Sequence, residues 1–274
     1  MNRLEKAIQQ NGTTPLLGAA VYFYDPIFVE MVHHLGLRVL WVEMEHTFLT
    51  FSEAADLCRM ASGLGLLTMI RVPDSQRETV LKAAECGPDI IDLPMANSPE
   101  VLAELVRNAR FPPAGVRGFF SVSRAVHYGL AGPVPKLQQE LNEELCLMGQ
   151  IETGEAVDRA EELCSVPGID GIFLGPADLS ASLGVPGKTG SVEVRQAAAQ
   201  VIKVARQHGK QVAVGASPAD FEFWAGQRVD LLFCTNDIAC LKTGAQAVLA
   251  QAREAIERAS RTRSESGPPP AAKT

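Results

Sequence analysis

The sequence predicts a closed (β/α)8 barrel that forms a single domain. Eight short apolar runs alternate with longer segments of helical periodicity along the 274-residue chain. Each run is almost unbroken, as expected for parallel strands that are covered on both faces. This repeat fits either a closed barrel or an open doubly wound sheet, and eight units within about 250 residues favour the barrel.

The eight apolar runs define the expected strands in chain order. They are residues 16–21, 39–43, 67–72, 90–93, 146–151, 171–174, 211–214 and 231–234. A helical pattern follows each run, as at residues 52–64 and 192–208, where apolar positions recur every three or four residues. The expected barrel domain therefore occupies residues 1–260.

A further apolar segment, residues 116–120, is assigned to a loop and not to a ninth strand. It follows Pro112 and Pro113 and leads into residues 121–135, which carry no helix long enough for a crossover. We expect this long loop at the C-terminal side of the fourth strand, the side on which barrel active sites lie. Residues 261–274 contain almost nothing apolar, and we expect them to form a disordered tail.

Charge and composition exclude several classes of partner. The net charge is -7 and Lys and Arg are not clustered, which excludes the basic surface that nucleic-acid binding requires. Residues 1–10 lack the apolar core of a secretion signal, and no segment approaches the ~18 apolar residues of a membrane span. The six cysteines form no C-x-x-C pair, which predicts reduced thiols. We therefore expect a cytoplasmic protein without membrane or nucleic-acid partners.

Polar residues follow five of the expected strands, at the ends that share one pocket in a barrel. They are Glu43, Glu45 and His46 on the second strand, Arg71 on the third, residues 92–95 (Asp-Leu-Pro-Met) on the fourth, Gln150 and Glu152 on the fifth, and residues 175–178 (Gly-Pro-Ala-Asp) on the sixth. This set contains the candidates for chemistry.

Glu152 and Asp178 are 26 residues apart, which is one βα unit, so their carboxylates can converge at adjacent strand ends. Two carboxylates without a nearby His or Cys suit Mg²⁺ or Mn²⁺. Alternatively, each acid caps the helix that begins just after it. Capping is the preferred explanation for either acid alone, whereas both together, beside Arg71 and His46, favour a metal site.

Arg71 and His46 are the other candidates in the pocket. An Arg inside or at the rim of the barrel is costly without an anion, and a salt bridge to Glu43 or Glu45 explains it as well as a substrate contact does. His46 follows two acids, and a carboxylate that fixes one ring nitrogen leaves the other as a general base. Histidines at strand ends are also frequently mere hydrogen-bonding residues. Of Glu43 and Glu45, we expect only one to face the pocket.

The turn at residues 175–178 consists of small residues and leads into a helix. Its backbone N–H groups could face an anion such as a carboxylate, helped by the positive end of the helix. Gly-Pro turns are common in loops, so the turn alone is weak evidence for an anion site.

Several motifs together resemble one protein family. They are residues 42–46, 71–73, 111–118, 123–125, 150–153 and 173–180. In order and spacing they resemble the HpcH/HpaI aldolase/citrate lyase family, the class II metal-dependent pyruvate aldolases of the 4-hydroxy-2-oxoheptanedioate aldolase type. The similarity is collinear over roughly residues 4–259.

The resemblance implies a metal site and a substrate site. Glu152 and Asp178 are expected to bind Mg²⁺ or Mn²⁺, with Co²⁺ as a further option, and Arg71 to hold the ketone or enolate oxygen. The loop around Arg124, together with neighbouring subunits of a hexamer, is expected to select the aldehyde. The pyruvate carboxylate is expected at the turn formed by Gly175, Pro176, Ala177 and Asp178.

The resemblance also implies that His46 is the general acid/base and that Glu43 is the acid that orients it. The family pattern is Asp-Gly-Glu-His where this chain has Glu43, Met44, Glu45 and His46. The orienting acid is therefore one methylene longer, and its glycine neighbour has become bulky. Further departures from the pattern lie at residues 214–216 and 235–237.

Three functions are weighed against each other. The first is an aldolase that cleaves or forms 4-hydroxy-2-oxo acids through a pyruvate enolate and an aldehyde. The second is an oxaloacetate-decarboxylating enolate enzyme of the macrophomate synthase type, for which the changes at Glu43 and Met44 and the aromatic loop at residues 119–128 leave room. The third is a non-catalytic barrel that binds a 2-oxo acid, which the presence of His46 argues against because a binding module needs no base.

Overall fold

Eight parallel strands close into a barrel in the computed structural model of the chain, which describes residues 1–265. The order of the strands follows the chain, and the last strand pairs with the first. The strands are β1 (Leu16–Val21), β2 (Val39–Glu43), β3 (Leu67–Arg71), β4 (Ile90–Leu93), β5 (Cys146–Ile151), β6 (Gly171–Leu174), β7 (Gln211–Gly215) and β8 (Leu231–Asn236). The predicted fold class is confirmed, and the predicted strands differ from these only at the ends of β3, β7 and β8.

Helices precede β1 and follow each strand. They are α1 (Arg3–Asn11), α2 (Pro26–His34), α3 (Phe51–Gly63), α4 (Arg77–Glu85), α5 (Pro99–Ala109), α6 (Val134–Glu144), α7 (Gly154–Asp158), α8 (Ala160–Cys164), α9 (Pro176–Ser182), α10 (Val192–Gln207), α11 (Phe221–Gly226) and α12 (Asp237–Glu265). Two short 3-10 helices, Arg124–Gly129 and Pro218–Asp220, lie before α6 and α11.

Side chains of the strands alternate between two cores. Trp41 of β2 and Ile90 of β4 pack in the barrel interior. Val42 and Ile91, the next residues, pack in the larger core that also contains the inner faces of the helices. Because successive side chains of a strand point to opposite faces, a polar residue two positions after Trp41 or Ile90 also faces the interior. Four of the cysteines are buried thiols: Cys58, Cys86, Cys146 and Cys164.

The structure corrects the position of the long loop between β4 and β5. Residues 110–123 follow helix α5 and not β4, so they lie at the N-terminal side of the strands, where Arg110 donates a hydrogen bond to the carbonyl of Leu145 just before β5. The predicted side was wrong because α5, whose N-cap Ser98 accepts a hydrogen bond, returns the chain to the N-terminal side of the strands before the loop begins. Residues 116–120 form no strand, as predicted.

The barrel and the last helix are separate compact units. The barrel unit is Met1–Asn236, and the second unit begins at Asp237 and contains α12. The predicted boundary at residue 260 differs from this division, and α12 continues through Glu265, past the predicted start of the tail. Residues 266–274 of that tail lie outside the described residues. In the part of the chain that the structure describes, no helix has the length and apolar character needed to span a membrane.

Candidate active site

Three polar side chains form a row across β2, β3 and β4 inside the barrel. The strand register pairs Glu43 with Arg71, and Arg71 with Asp92. All three residues are buried. Glu43 and Asp92 lie two residues after Trp41 and Ile90, so their side chains face the interior. Arg71 therefore lies between Glu43 and Asp92 at the carboxyl ends of the strands.

Arg71 is held by acids from the neighbouring strand. Its Nε atom donates a hydrogen bond to Glu43 Oε2 at 2.6 Å and lies 3.2 Å from Glu45 Oε2. Its guanidinium carbon lies 4.9 Å from the centre of the Trp41 ring, and Nη1 reaches Gln150 Oε1 at 3.4 Å. Burial opposes the positive charge, but Glu43 and then Glu45 outweigh it and raise the pKa of Arg71.

Glu43 also shapes the turn that follows β2. Its Oε1 atom accepts hydrogen bonds from the backbone N–H groups of Glu45 at 2.8 Å and His46 at 3.1 Å. Only one of the two acids was expected to face the pocket, but both contact Arg71. That expectation was wrong because β2 ends at Glu43, and Glu45 lies in the turn after it, where strand alternation does not apply.

His46 stands at the mouth of the barrel, with 67% of its side chain exposed. Its Nε2 atom lies 3.5 Å from Glu45 Oε2. Burial raises the pKa of Glu45, an effect that the charges of Arg71 and His46 oppose. The acid next to the ring is therefore Glu45, and not Glu43 as the resemblance implied. Met44 is buried in the core shared with the helices, so its bulk does not fill the pocket.

Glu152 follows β5 directly and is almost completely buried. Its Oε1 atom accepts a hydrogen bond from the backbone N–H of Met95 at 2.7 Å, and Oε2 accepts one from Gln150 Nε2 at 2.6 Å. Burial raises the pKa of Glu152, and the negative charge of Asp178 raises it further. Asp178 follows β6, the strand that pairs with β5, so the two acids stand at adjacent strand ends.

Neither carboxylate is a helix cap, so the alternative explanation from the sequence is excluded. Thr153 is the N-cap of α7 and accepts a hydrogen bond from the N–H of Ala156 at 3.1 Å. Gly175 is the N-cap of α9. Asp178 lies inside the first turn of that helix and is exposed.

The residues present fit a divalent metal at Glu152 and Asp178. Two negatively charged carboxylates provide the hard oxygen ligands that suit Mg²⁺ or Mn²⁺. These ions take water or substrate oxygens at their other positions. The Glu152 carboxylate is fixed by two donors, as metal-ligating carboxylates usually are. A Cβ at Gly175 would lie 2.5 Å from Glu152 Oε2, so only glycine leaves room for this carboxylate. Among the described residues, no group of three or more His, Cys, Asp and Glu side chains has a metal-binding arrangement.

The first turn of α9 offers backbone donors beside the carboxylate pair. Ala177 and Asp178 are exposed there, and no side chain of Gly175 or its neighbours caps the helix. The N–H groups of a first turn have no partner within the helix, so these two can donate to an anion. Pro176, at the first position, has no N–H group to lose.

Arg124, the remaining predicted substrate residue, lies elsewhere in this chain. Its guanidinium donates hydrogen bonds to the carbonyl oxygens of Cys86 and Gly87 at 3.1 Å, and of Cys58 at 3.4 Å. It lines a cavity of about 510 Å³ together with Asp89, which precedes β4. That cavity is at the N-terminal side of the barrel, so the structure does not bring Arg124 to the other site residues.

Several contributors to the site had no role assigned to them from the sequence. Gln150 links Arg71 to Glu152, and its position two residues before Glu152 indicates that both face the interior. Trp41 packs under Arg71, and the same alternation relates it to Glu43. Met95 contributes a backbone N–H from a left-handed conformation with φ of 50°, and nothing in the sequence signals this.

Asp92 is fully buried, and neither of its carboxyl oxygens accepts a hydrogen bond from any described residue. Burial raises its pKa well above the ordinary range. The charge of Arg71 opposes this shift, and the negative charges of Glu152 and Glu43 add to it. Asp92 was noted from the sequence as a polar strand end without an assigned role.

The fold is an α/β barrel, and its acids, together with the buried Arg71, are gathered at the carboxyl ends of the strands. A family model described as HpcH/HpaI aldolase/citrate lyase matches residues 21–219. The chain therefore belongs to the HpcH/HpaI aldolase/citrate lyase family, as its motifs predicted.

Individual relatives are similar over different lengths. The hydroxypyruvate/pyruvate aldolase of Sagittula stellata is 31% identical over 168 residues, which are 61% of this chain and 65% of that protein, so the match covers less than two thirds of its length. The HpcH/HpaI aldolase from Desulfitobacterium hafniense DCB-2 superposes with a TM-score of 0.86 at 26% identity, over 93% of this chain and 98% of that one. Macrophomate synthase superposes with a TM-score of 0.80 at 23% identity, over 93% of this chain and 89% of that one, which shows a shared fold only.

Proposed function

We propose that this chain is a divalent-metal-dependent aldolase that cleaves and forms 4-hydroxy-2-oxo acids through the enolate of pyruvate. The observation that carries the proposal is the pair Glu152 and Asp178 at adjacent strand ends, beside the buried Arg71. Membership of the family and the similarity to the hydroxypyruvate/pyruvate aldolase of Sagittula stellata support the same class of reaction.

Each residue has a defined task in this proposal. A bound Mg²⁺, Mn²⁺ or Co²⁺ would act as a Lewis acid that stabilises negative charge on the keto oxygen of the substrate. Arg71 donates hydrogen bonds to the same oxygen, and its ion pair with Glu43 keeps the guanidinium inside the barrel. The N–H groups of Ala177 and Asp178 receive the carboxylate of the 2-oxo acid.

His46 is the general base and general acid of the reaction. In the cleavage direction it removes the proton of the 4-hydroxyl group, the bond between C3 and C4 breaks, and the bond electrons form the pyruvate enolate while the aldehyde leaves. His46 then delivers the proton to C3 of the enolate, which gives pyruvate. In the reverse direction His46 removes a methyl proton of pyruvate, the enolate carbon attacks the aldehyde, and the resulting alkoxide oxygen takes that proton. Glu45, 3.5 Å away, stabilises the protonated ring.

Proton exchange on pyruvate tests the proposal without knowledge of the aldehyde. With Mg²⁺ or Mn²⁺ in deuterated water, the protein should exchange the methyl protons of pyruvate, followed by proton NMR. His46→Asn should slow this exchange by about 100-fold or more, the usual contribution of a general base. His33→Asn is the matched control, because His33 is exposed on α2. Pyruvate binding without any exchange would favour a non-catalytic binding barrel.

Decarboxylation of oxaloacetate is the alternative reaction. Of the features that left room for it, Glu43 lies in the site against Arg71. Met44 instead points to the helices, and the aromatic loop at residues 119–128 lies at the opposite end of the barrel. Decarboxylation of oxaloacetate, together with failure of every aldehyde tested to yield an aldol, would replace the aldolase proposal by the macrophomate synthase type of reaction.

The assembly and the location complete the proposal. We infer a hexamer and a cytoplasmic location from the family resemblance and the sequence composition, and both stay predictions. Light scattering of the purified protein should give a mass six times that of the chain. A smaller mass would contradict the hexamer.

A further inference from the structure

Three aromatic rings pack together in the barrel interior, below the row of polar side chains. Trp41 of β2 contacts Phe173 of β6 with ring centres 5.1 Å apart and Phe233 of β8 with ring centres 5.2 Å apart. Both contacts are edge-to-face, an arrangement that aromatic pairs prefer, and all three rings are buried. Two other strands of the barrel therefore hold the indole ring of Trp41 in place.

The guanidinium of Arg71 lies over the indole ring of Trp41, with its carbon 4.9 Å from the ring centre. Trp is the best aromatic partner for a cation, and the attraction is stronger where water is excluded. The Nε1 atom of Trp41 is buried and has no hydrogen-bond partner among the described residues. Trp41 therefore acts on Arg71 through its ring face and not through a hydrogen bond.

A contact of this kind suits an Arg that binds an anionic ligand. A guanidinium has five N–H donors, of which Arg71 gives one to Glu43 at 2.6 Å and one to Gln150 at 3.4 Å. The ring face takes none of the remaining donors. It also adds no negative charge, whereas a further acid beside Glu43 and Glu45 would weaken the attraction of Arg71 for an anion.

We propose that Trp41 is a positioning residue for Arg71. Its ring supports the guanidinium from inside the barrel while Glu43 holds Nε, so that the remaining N–H groups face the keto oxygen of the substrate. Trp41 is itself buried and acts only through Arg71. The inference rests on the proposed function, because it assumes that Arg71 binds that oxygen.

The first test compares variants of the two tryptophans in the proton-exchange assay with pyruvate. Trp41→Leu should lower kcat/KM by about 10-fold, the effect of a buried cation–π contact, and Trp41→Phe, which keeps a weaker ring face, by less than about 3-fold. Trp224→Leu is the matched control, because Trp224 is equally buried, also has an unpartnered Nε1 and lies in the outer core. It should leave kcat/KM unchanged. Equal losses in Trp41→Leu and Trp224→Leu, or in Trp41→Leu and Trp41→Phe, would overturn the proposal.

The second test uses fluorescence, because the chain contains only two Trp residues. Trp224→Phe leaves Trp41 as the single Trp, and Trp41→Phe leaves Trp224. With Mg²⁺ present, pyruvate should change the emission of Trp41 over the same concentration range that saturates proton exchange, because the ligand alters the charge held against the ring. The emission of Trp224 controls for absorption of light by pyruvate and should not change further. No response of Trp41, or equal responses of both residues, would overturn the proposal.

The two tests together separate this inference from the proposed function. If Trp41→Leu does not fold, the fluorescence response of Trp41 decides. If the wild type exchanges no pyruvate protons, the proposed function fails and this inference fails with it. Exchange by the wild type with no loss in Trp41→Leu removes the inference alone.

Discussion

The buried ion pair between Glu43 and Arg71 makes a quantitative prediction about Glu43→Gln. The pair has an N–O distance of 2.6 Å, with 1% and 9% of the two side chains exposed. The variant keeps the shape and one oxygen, but an amide cannot compensate the charge of Arg71. Removing one partner of a buried pair costs about 3–5 kcal/mol. Glu45, 3.2 Å from the same Nε, retains part of the compensation.

We therefore expect Glu43→Gln to lower the free energy of unfolding by about 3 kcal/mol, or about 150-fold in the folding equilibrium. Urea unfolding of the metal-free protein at neutral pH measures this loss of free energy. Glu78→Gln is the matched control, because Glu78 and Lys82 have the same N–O distance of 2.6 Å but 79% and 52% of their side chains exposed. Exposed pairs contribute little, so this control should hardly change stability. Equal losses in both variants would refute the reasoning from burial.

Three further predictions follow from the same structure. Glu152→Gln should weaken Mn²⁺ binding by about 100-fold or more in calorimetry, because a fixed anionic ligand is lost; unchanged affinity would remove Glu152 from the site. Asp92→Asn should become progressively more stable than the wild type as the pH rises above the ordinary pKa range of aspartate. The reason is that the raised pKa keeps the buried carboxyl protonated in the folded protein, while the same group ionises in the unfolded chain. Urea unfolding between pH 4 and 8 measures the difference in the free energy of unfolding, and a difference that does not change with pH would contradict this prediction. Arg124→Ala should lower the free energy of unfolding by about 2 kcal/mol through the loss of its carbonyl contacts; full stability in urea would show that these contacts are unimportant.

The barrel was predictable because its strands are short, nearly unbroken apolar runs. Gly171–Leu174 stands out in the sequence as well as in the structure, since a strand covered on both faces is mostly apolar, and Ile90–Leu93 does so although Asp92 interrupts it. The loop before β5 was misplaced for a topological reason. Helix α5 leads the chain from the carboxyl end of β4 back to the other end of the barrel, and the loop that follows α5 lies there.

The candidate site was predictable where it depends on strand ends. The strand-end positions of Glu152, Asp178 and Arg71 were predictable from the sequence, and their roles as metal ligands and substrate contact stay predictions. The acid that lies next to the His46 ring could not be predicted. The choice between Glu43 and Glu45 depends on which carboxylate accepts the backbone N–H groups of the turn. Contacts made by the backbone, such as the N–H of Met95 on Glu152, leave no mark on residue type.

The position of the metal is the central claim of this account, and anomalous diffraction tests it most directly. Crystals grown with Mn²⁺ and pyruvate should show one anomalous peak between the carboxylates of Glu152 and Asp178, with the keto oxygen of pyruvate toward Arg71. A Mn²⁺ peak away from these two carboxylates, or pyruvate bound there without any metal, would contradict it.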